Sequence, residues 1–277
     1  ESANLNQLFD LEEPQFSRKA KRVLPTAALN WSPDDNHMLY ARYQRGYRIG
    51  GTNVSGADPP VVTVFAPDAV DTIEMGARHS LGLNEEWKIS HSYFYTKWRD
   101  VQADLIDEDG FPRTVNIGSG RIFGATASVN WSPVADLALQ LSGFVNGSEI
   151  TDFSSDFIGV EESRLPNIAG LGLAGQISWE KPISTEMRLH LRSSFQYVGE
   201  SVLGNVDFLD IDQGDYFQLN AGVGLDAKNW ALEFNVSNIL NNRANRFSLG
   251  NPFSVADGQQ ITPLRPATGR LSFRYKF

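Results

Sequence analysis

The sequence predicts an all-β chain, a transmembrane antiparallel β-barrel of about 11 strands that make up half of a 22-stranded plugged barrel. Three observations carry this. The stretch Thr268–Phe277 alternates strictly: Leu271, Phe273, Tyr275 and Phe277 point one way, and Ser272, Arg274 and Lys276 point the other, because a strand sets successive side chains on opposite faces. Connections between alternating segments are short and long by turns, as in outer-membrane barrels with short periplasmic turns and longer extracellular loops. Tryptophan marks the short turns: Trp31, Trp87, Trp131, Trp179 and Trp230, five of the six in the chain, flank them. They read as a periplasmic aromatic girdle, since an apolar ring with one polar N–H is best placed at a membrane–water interface.

Taken in order, residues 1–17 read as an extracellular loop remnant, acidic and turn-prone around Asp10, Glu12, Glu13 and Pro14. Residues 18–277 read as the barrel part. A first strand over Arg22–Trp31 meets the turn Ser32-Pro33-Asp34-Asp35-Asn36 and returns as His37–Arg48. A long connection with Gly50-Gly51 and Pro59-Pro60 leads to strands Ala69–Leu81 and Trp87–Val101, joined by the short Gly82–Glu86 turn. After a loop holding Asp107-Glu108-Asp109-Gly110-Phe111-Pro112, the cycle repeats as Arg121–Trp131 and Leu137–Glu149, then Ala169–Trp179 and Glu186–Val198, then Tyr216–Asp226 and Trp230–Asn241. Asn-Trp-Ser-Pro occurs twice, at Trp31 and Trp131, each time before a short turn. Along Glu186–Val198, Met187, Leu189, Leu191, Phe195 and Tyr197 oppose Arg188, His190, Arg192, Ser194 and Gln196. A face this charged suits a wet lumen or a polar plug and would be costly in a soluble core.

Composition narrows the function classes. Hydrophobic residues make up 41% and the mean hydropathy is -0.29, and no run approaches the ~18 consecutive apolar residues of a transmembrane helix. That excludes helical spans and leaves a barrel open, because barrel strands place apolar residues at every second position. The net charge of -9 and the lack of a basic run argue against nucleic-acid binding. The absence of cysteine removes disulfides, thiolate metal sites and thiol nucleophiles. The chain opens at Glu1 without Met or signal peptide, which reads as a processed or truncated product.

The strand count has a consequence. The last strand descends to the periplasm, so an odd count makes the first descend too and places Glu1 outside the cell. A complete bacterial single-chain barrel has an even number of strands, and an open sheet edge in lipid costs several kcal/mol for each unpaired backbone group. The expectation is a chain that supplies half a barrel.

Particular segments carry a family resemblance. Tyr40-Ala41-Arg42-Tyr43-Gln44-Arg45-Gly46-Tyr47-Arg48-Ile49-Gly50-Gly51-Thr52-Asn53 is similar to an aromatic-rich strand ending in Gly-Tyr-x-x-Gly-Gly-x-Asn. Phe65-Ala66-Pro67-Asp68 with Ile73-Glu74-Met75-Gly76-Ala77-Arg78 resembles a Pro-acid motif leading into Tyr-Glu-x-Gly-x-Lys, with Asp68 for Glu, Ile73 for the aromatic and Arg78 for Lys. Val236-Ser237-Asn238-Ile239-Leu240-Asn241-Asn242 resembles an Asn-Leu-Phe-Asp box, and Pro266–Phe277 the terminal strand. The whole resembles the C-terminal half of a TonB-dependent outer-membrane receptor. The resemblance implies a plug inside the barrel, a box on it that binds TonB, and a small-molecule ligand. It also implies that plug and first strands, the partner of this half, lie on another chain, on a cleaved N-terminal fragment, or in sequence beyond this stretch.

Candidate sites follow. Arg42, Glu74, Arg78, Arg188, His190 and Arg192 are expected to face the lumen and contact plug or substrate. Tyr47, Arg48 and Asn53, at the outer rim, are candidates for substrate contact. Leu271, Phe273, Tyr275 and Phe277 look like the signal read by the barrel assembly machinery through edge pairing. Outside, lipid and lipopolysaccharide are the expected surroundings. Catalytic signals are thin: His37, His79, His91 and His190 are scattered along the chain, and His79-Ser80 point to opposite faces of a strand. No Gly-x-Ser-x-Gly, Walker loop or zinc spacing appears, so neither an enzyme nor a cofactor is expected. The acidic stretch 207–215 offers oxygen ligands for calcium but lacks the spacing of a known calcium loop, and it reads as a solvated extracellular loop. The leading expectation is energy-coupled uptake of a scarce nutrient such as a ferric siderophore at the bacterial outer membrane. A passive channel or porin, or a surface adhesin barrel, is the alternative.

Overall fold

The computed structural model describes residues 21–54, 62–84, 86–106, 112–155, 164–203, 212–246 and 262–277. In chain order its strands are β1 (Thr26–Asp34), β2 (His37–Arg48), β3 (Gly51–Val54), β4 (Val62–Phe65), β5 (Asp68–Leu81), β6 (Trp87–Ile106), β7 (Pro112–Val134), β8 (Leu137–Phe153), β9 (Leu171–Pro182), β10 (Met187–Val198), β11 (Ser201–Val202), β12 (Asp212–Gln213), β13 (Tyr216–Ala227), β14 (Trp230–Ser237) and β15 (Thr268–Tyr275). Eleven form one sheet in the order β1-β2-β5-β6-β7-β8-β9-β10-β13-β14-β15, antiparallel throughout. Each of the nine inner strands is hydrogen-bonded to the strand on either side of it in that order. Among the described residues β1 and β15 pair on one side alone, so the sheet has two open edges.

The short turns form where the sequence breaks the ladder. Proline cannot donate a backbone hydrogen bond. Both Asn-Trp-Ser-Pro segments accordingly end in a register shift, between Trp31 and Asp34 in β1 and between Trp131 and Val134 in β7. Asp34 then closes the first turn by accepting the Asn36 N–H at 2.9 Å. The ladder places all five girdle tryptophans on one face and at one end. Trp87 stands opposite Trp131 and Trp230 opposite Tyr275, and the Trp87 and Trp131 rings stack with centroids 4.7 Å apart.

The register gives the sheet two chemically distinct faces. One carries, strand by strand, Leu29, Leu39, Ile73, Tyr93, Phe123, Leu141, Ile177, Leu191, Val223, Phe234 and Phe273, all exposed. A contiguous apolar surface this large far exceeds the few hundred Å² found on soluble monomers. The other face carries Arg42, Glu74, Ser92, Thr126, Gln140, Arg192, Asn220, Glu233 and Arg270. No helix among the described residues is long and apolar enough to cross a membrane.

Several expected boundaries shift. β6, β7 and β8 run well past Val101, Arg121 and Glu149. The extension was masked in the sequence by bulges at Trp98/Val101 and Ser119/Gly120, which bend a strand and interrupt its alternation. Gly118 serves this bend: its φ of 136° is open to glycine, and a Cβ would overlap the Asp152 carbonyl. The extension holds a small apolar core of Val101, Ile117, Ile150 and Leu165. Two ribbons, β3–β4 and β11–β12, occupy stretches read as loop. β14 stops at Ser237, short of Asn241, because Asn238 takes a φ of 50°. The loop assigned to 1–17 lies outside the described residues.

Candidate functional site

The polar face is built from cross-strand rows. Gly76 lets the Tyr40 ring cross β5, since a Cβ there would stand 2.7 Å from it. Tyr40 Oη thereby donates to Glu74 Oε1 at 2.5 Å, while Arg42 Nη2 donates to Glu74 Oε2 at 2.8 Å. Hydroxyl pairs continue the row, Thr72 with Thr96 at 2.9 Å, Ser92 with Thr126 at 2.9 Å and Ser90 with Ser128 at 2.7 Å. Arg78 stands between Met38 and Ser90 on the same face.

A second group sits on β10. Arg188 and Arg192 flank Glu180 at 3.8 and 3.6 Å, and the buried His190 ring lies across Gly224, with Nδ1 3.4 Å from Asp226 Oδ2. Thus the six residues expected on the lumen side do share one face, but as two groups, on β2–β5 and on β10. A polar cleft of about 480 Å³ joins His190 and Arg192 to Asp226, Glu233, Arg270 and Arg274. Sequence reasoning did not single out the last four, although the alternation of β14 and β15 already put Glu233, Arg270 and Arg274 on the polar side.

At the opposite end from the tryptophans, Arg48 grips the buried Asp68. Its Nε donates to Asp68 Oδ2 at 2.8 Å and its Nη2 also donates there. Trp98 Nε1 donates to the same oxygen at 2.8 Å, and the guanidinium lies 5.3 Å from the Trp98 ring centroid. Gln102 donates through Nε2 to Ile49 O at 3.0 Å and Ala66 O at 2.9 Å. Asn53 clasps Thr114 by a reciprocal pair, donating from Nδ2 at 2.7 Å and accepting at Oδ1 at 3.0 Å. Gln102 and Asn53 therefore pin the β3–β4 ribbon and its flanks to β6 and β7, and Arg48 ties β2 to β5 and β6 beside it. Tyr47 is not with them: it projects from the apolar face, where the Arg22 guanidinium lies 5.5 Å from its ring centroid. Neighbours in sequence on a strand cannot share a face.

In β15, Leu271, Phe273 and Tyr275 extend the apolar face, and the Tyr275 and Phe277 rings meet at 5.1 Å. The histidines are not scattered in space. His37, His79 and His91 line up on the apolar face near the tryptophan end, with ring centroids 5.1 and 5.6 Å apart. No His, Asp or Glu group among the described residues is arranged to hold a metal ion. Of the acidic stretch, residues 207–211 lie outside the described residues; Asp212 pairs with Val202, and Asp215 Oδ1 accepts the Tyr197 hydroxyl at 2.9 Å.

Comparison with known proteins agrees with this geometry. No curated protein matches the sequence. Among solved structures, the chain is similar to the ferric yersiniabactin uptake receptor FyuA from Yersinia pestis, with TM-score 0.72 and 19% identity over 92% of this chain and 37% of that one. It is similar to BauA, the ferric preacinetobactin receptor from Acinetobacter baumannii, with TM-score 0.68 and 19% identity over 92% and 36%. It is also similar to the copper transporter OprC, with TM-score 0.66 and 13% identity over 91% and 39%. The chain thus spans well under half the length of these structures. A model of the TonB-dependent receptor-like β-barrel matches residues 2–239. With an antiparallel sheet that is apolar on one face and charged on the other, the chain belongs to the TonB-dependent receptor β-barrel family of the bacterial outer membrane.

Proposed function

We propose that this chain forms the C-terminal half of the wall of an outer-membrane receptor that imports a scarce nutrient of the ferric siderophore type, driven by TonB. One observation carries the reading: an 11-stranded antiparallel sheet that, among the described residues, has two open edges, one apolar face and one polar face. In lipid such edges require further strands, so N-terminal strands and a plug complete the wall. The two polar groups, Arg42–Glu74–Arg78 and Arg188–His190–Arg192, are the surfaces against which that plug packs. Arg48 and Asn53 set the outer rim over which cargo enters. The barrel assembly machinery reads Leu271, Phe273, Tyr275 and Phe277. The chain performs no covalent chemistry on the cargo.

The iron class rests on neighbours whose names describe ferric siderophore uptake. The test is uptake of a panel of radiolabelled ferric siderophores by cells carrying the complete receptor, with and without TonB. Accumulation that requires both supports the reading. Uptake unaffected by loss of TonB would point to a passive channel. A cupric salt belongs in the panel, because one similar structure is a copper transporter.

A further inference from the structure

On the apolar face of β9, β10, β13 and β14, one row dips between two taller ones. Ile177, Ser193, Ala221 and Val236 stand opposite one another, and Gly269 continues the row on β15. The row nearer the tryptophan end is Trp179, Leu191, Val223, Phe234 and Leu271. On the other side stand Phe195, whose ring crosses Gly175 and stacks on Phe217 at 5.6 Å, and Leu219, whose carbonyl accepts the Ile239 N–H at 2.8 Å. Between them runs a groove of about 580 Å³, floored by the small side chains of Ser193 and Ala221. The floor is apolar in effect, because the Ser193 hydroxyl donates to the Asn220 carbonyl at 3.1 Å.

The groove climbs through the membrane. On β9 it starts at Ile177, two residues above Trp179, and on β14 it lies at Val236, six residues above Trp230. At ~3.4 Å per residue and the ~40° tilt of outer-membrane barrels, these points are about 5 Å and about 16 Å above the tryptophan level. Three strand spacings of ~4.8 Å, crossed at that tilt, give a similar climb of about 9 Å. The apolar band is about 25 Å tall, so the groove rises from the periplasmic interface to the middle of the bilayer. That is the course of an acyl chain in the periplasmic leaflet. A cation stands at its lower mouth. Lys181 lies on the same face of β9, two residues below Trp179, with Nζ 6.0 Å from the Trp179 ring centroid. It is exposed, and among the described residues no carboxylate pairs with it.

We infer that this groove binds a phospholipid of the periplasmic leaflet, with one acyl chain along Ser193 and Ala221 and the phosphate at Lys181. Charge selects the headgroup, since an ammonium at the interface attracts an anionic lipid. Shape selects the chain. Lipid tails are as apolar as the wall, so burial alone gains nothing there. A chain in the groove, however, touches protein on three sides and gains dispersion contacts that a flat wall does not offer. The inference rests on the proposed function only for the short turns facing the periplasm. It is tested without cargo, so the two readings fail separately.

The test is native mass spectrometry of the complete, delipidated receptor with three probes: dipalmitoyl phosphatidylglycerol, its dihexanoyl counterpart, and dipalmitoylglycerol, which lacks phosphate. The first is expected to bind. One basic residue at an anionic surface contributes about a fivefold factor, so the phosphate-free lipid should bind about fivefold more weakly, and Lys181→Gln should weaken the first probe by about the same factor. The dihexanoyl lipid, too short to fill the groove, should bind roughly tenfold more weakly. Ala221→Phe fills the groove and should weaken the first probe roughly tenfold; Ala221→Leu serves if that variant does not assemble. Ile73→Phe, on the same face at β5, should leave binding unchanged. Equal binding of the three probes, wild-type binding by Lys181→Gln or by both Ala221 variants, or a receptor dimer that covers the groove in place of lipid would overturn the inference.

Discussion

The side-chain amide of Asn238 donates to the carbonyl of Arg265 at 2.7 Å and to that of Asn242 at 2.9 Å, from a position 1% exposed. Its Oδ1 accepts the Asn242 N–H at 3.1 Å, and its own N–H reaches Asn220 Oδ1 at 3.0 Å. One residue, through its side chain and its backbone N–H, thus joins β13, the end of β14 and the segment that enters β15. Asparagine suits the post because it tolerates the left-handed backbone found here, with φ 50°. Asn238→Ala should take this partner from the Arg265 and Asn242 carbonyls and from the Asn242 N–H, and cost about 1–3 kcal/mol. Urea unfolding of the complete receptor checks this; an unchanged midpoint would mean that the contacts are incidental.

The Arg48–Asp68 pair joins a half-exposed guanidinium to a carboxylate whose side chain is 0% exposed. Removing the cation alone leaves a buried charge, which costs about 3–5 kcal/mol when no other group compensates. Here Trp98 Nε1 and the Gln102 N–H still donate, so Arg48→Ala should cost about 2 kcal/mol. The loss should be local. Amide exchange at Gln102 and Asn116 should quicken while exchange at Leu191 and Val223 stays slow, and uniform quickening would argue against a rim lock.

Glu180 sits between Arg188 and Arg192 at 3.8 and 3.6 Å, with all three side chains well exposed. Exposed ion pairs contribute about 0–1 kcal/mol. Glu180→Gln should therefore leave thermal stability within about 0.5 kcal/mol of wild type while changing the charge that the plug meets. A large loss of stability would show the bridge to be structural.

Sequence alternation made most of the sheet legible. β2, β5, β10, β13 and the first part of β15 fall close to where period-two patterning put them, and the five tryptophans do share one level. What eluded a linear reading depends on register between strands. His37, His79 and His91 become neighbours because β2, β5 and β6 align them, and nothing within one strand states that alignment. Tyr47 and Arg48 were grouped by adjacency, yet the pleat sends them to opposite faces. A row of charges eluded it for the same reason: Arg45, Asp71, Lys97, Arg121 and Glu149 each look like a lone strand-end charge until the ladder sets them opposite one another.

The terminal aromatic offers an assembly test. Phe277 is fully exposed, and its ring meets that of Tyr275 at 5.1 Å. Its removal should leave the folded wall little changed while lowering the amount of complete receptor that reaches the cell surface. Surface labelling against total receptor separates the two effects, and normal surface levels would remove the assembly role.

The most direct measurement places nitroxide labels at Ile73, Leu191 and Phe234 on one face and at Glu74, Arg192 and Glu233 on the other, in the complete receptor within a bilayer. Collision with oxygen, which concentrates in lipid, and with a water-soluble nickel chelate is then compared at each site. The first three should relax with oxygen and the second three with nickel, switching at every step along each strand. Nickel access at Ile73, Leu191 and Phe234 equal to that at their neighbours would contradict a wall with lipid on one side and an aqueous interior on the other.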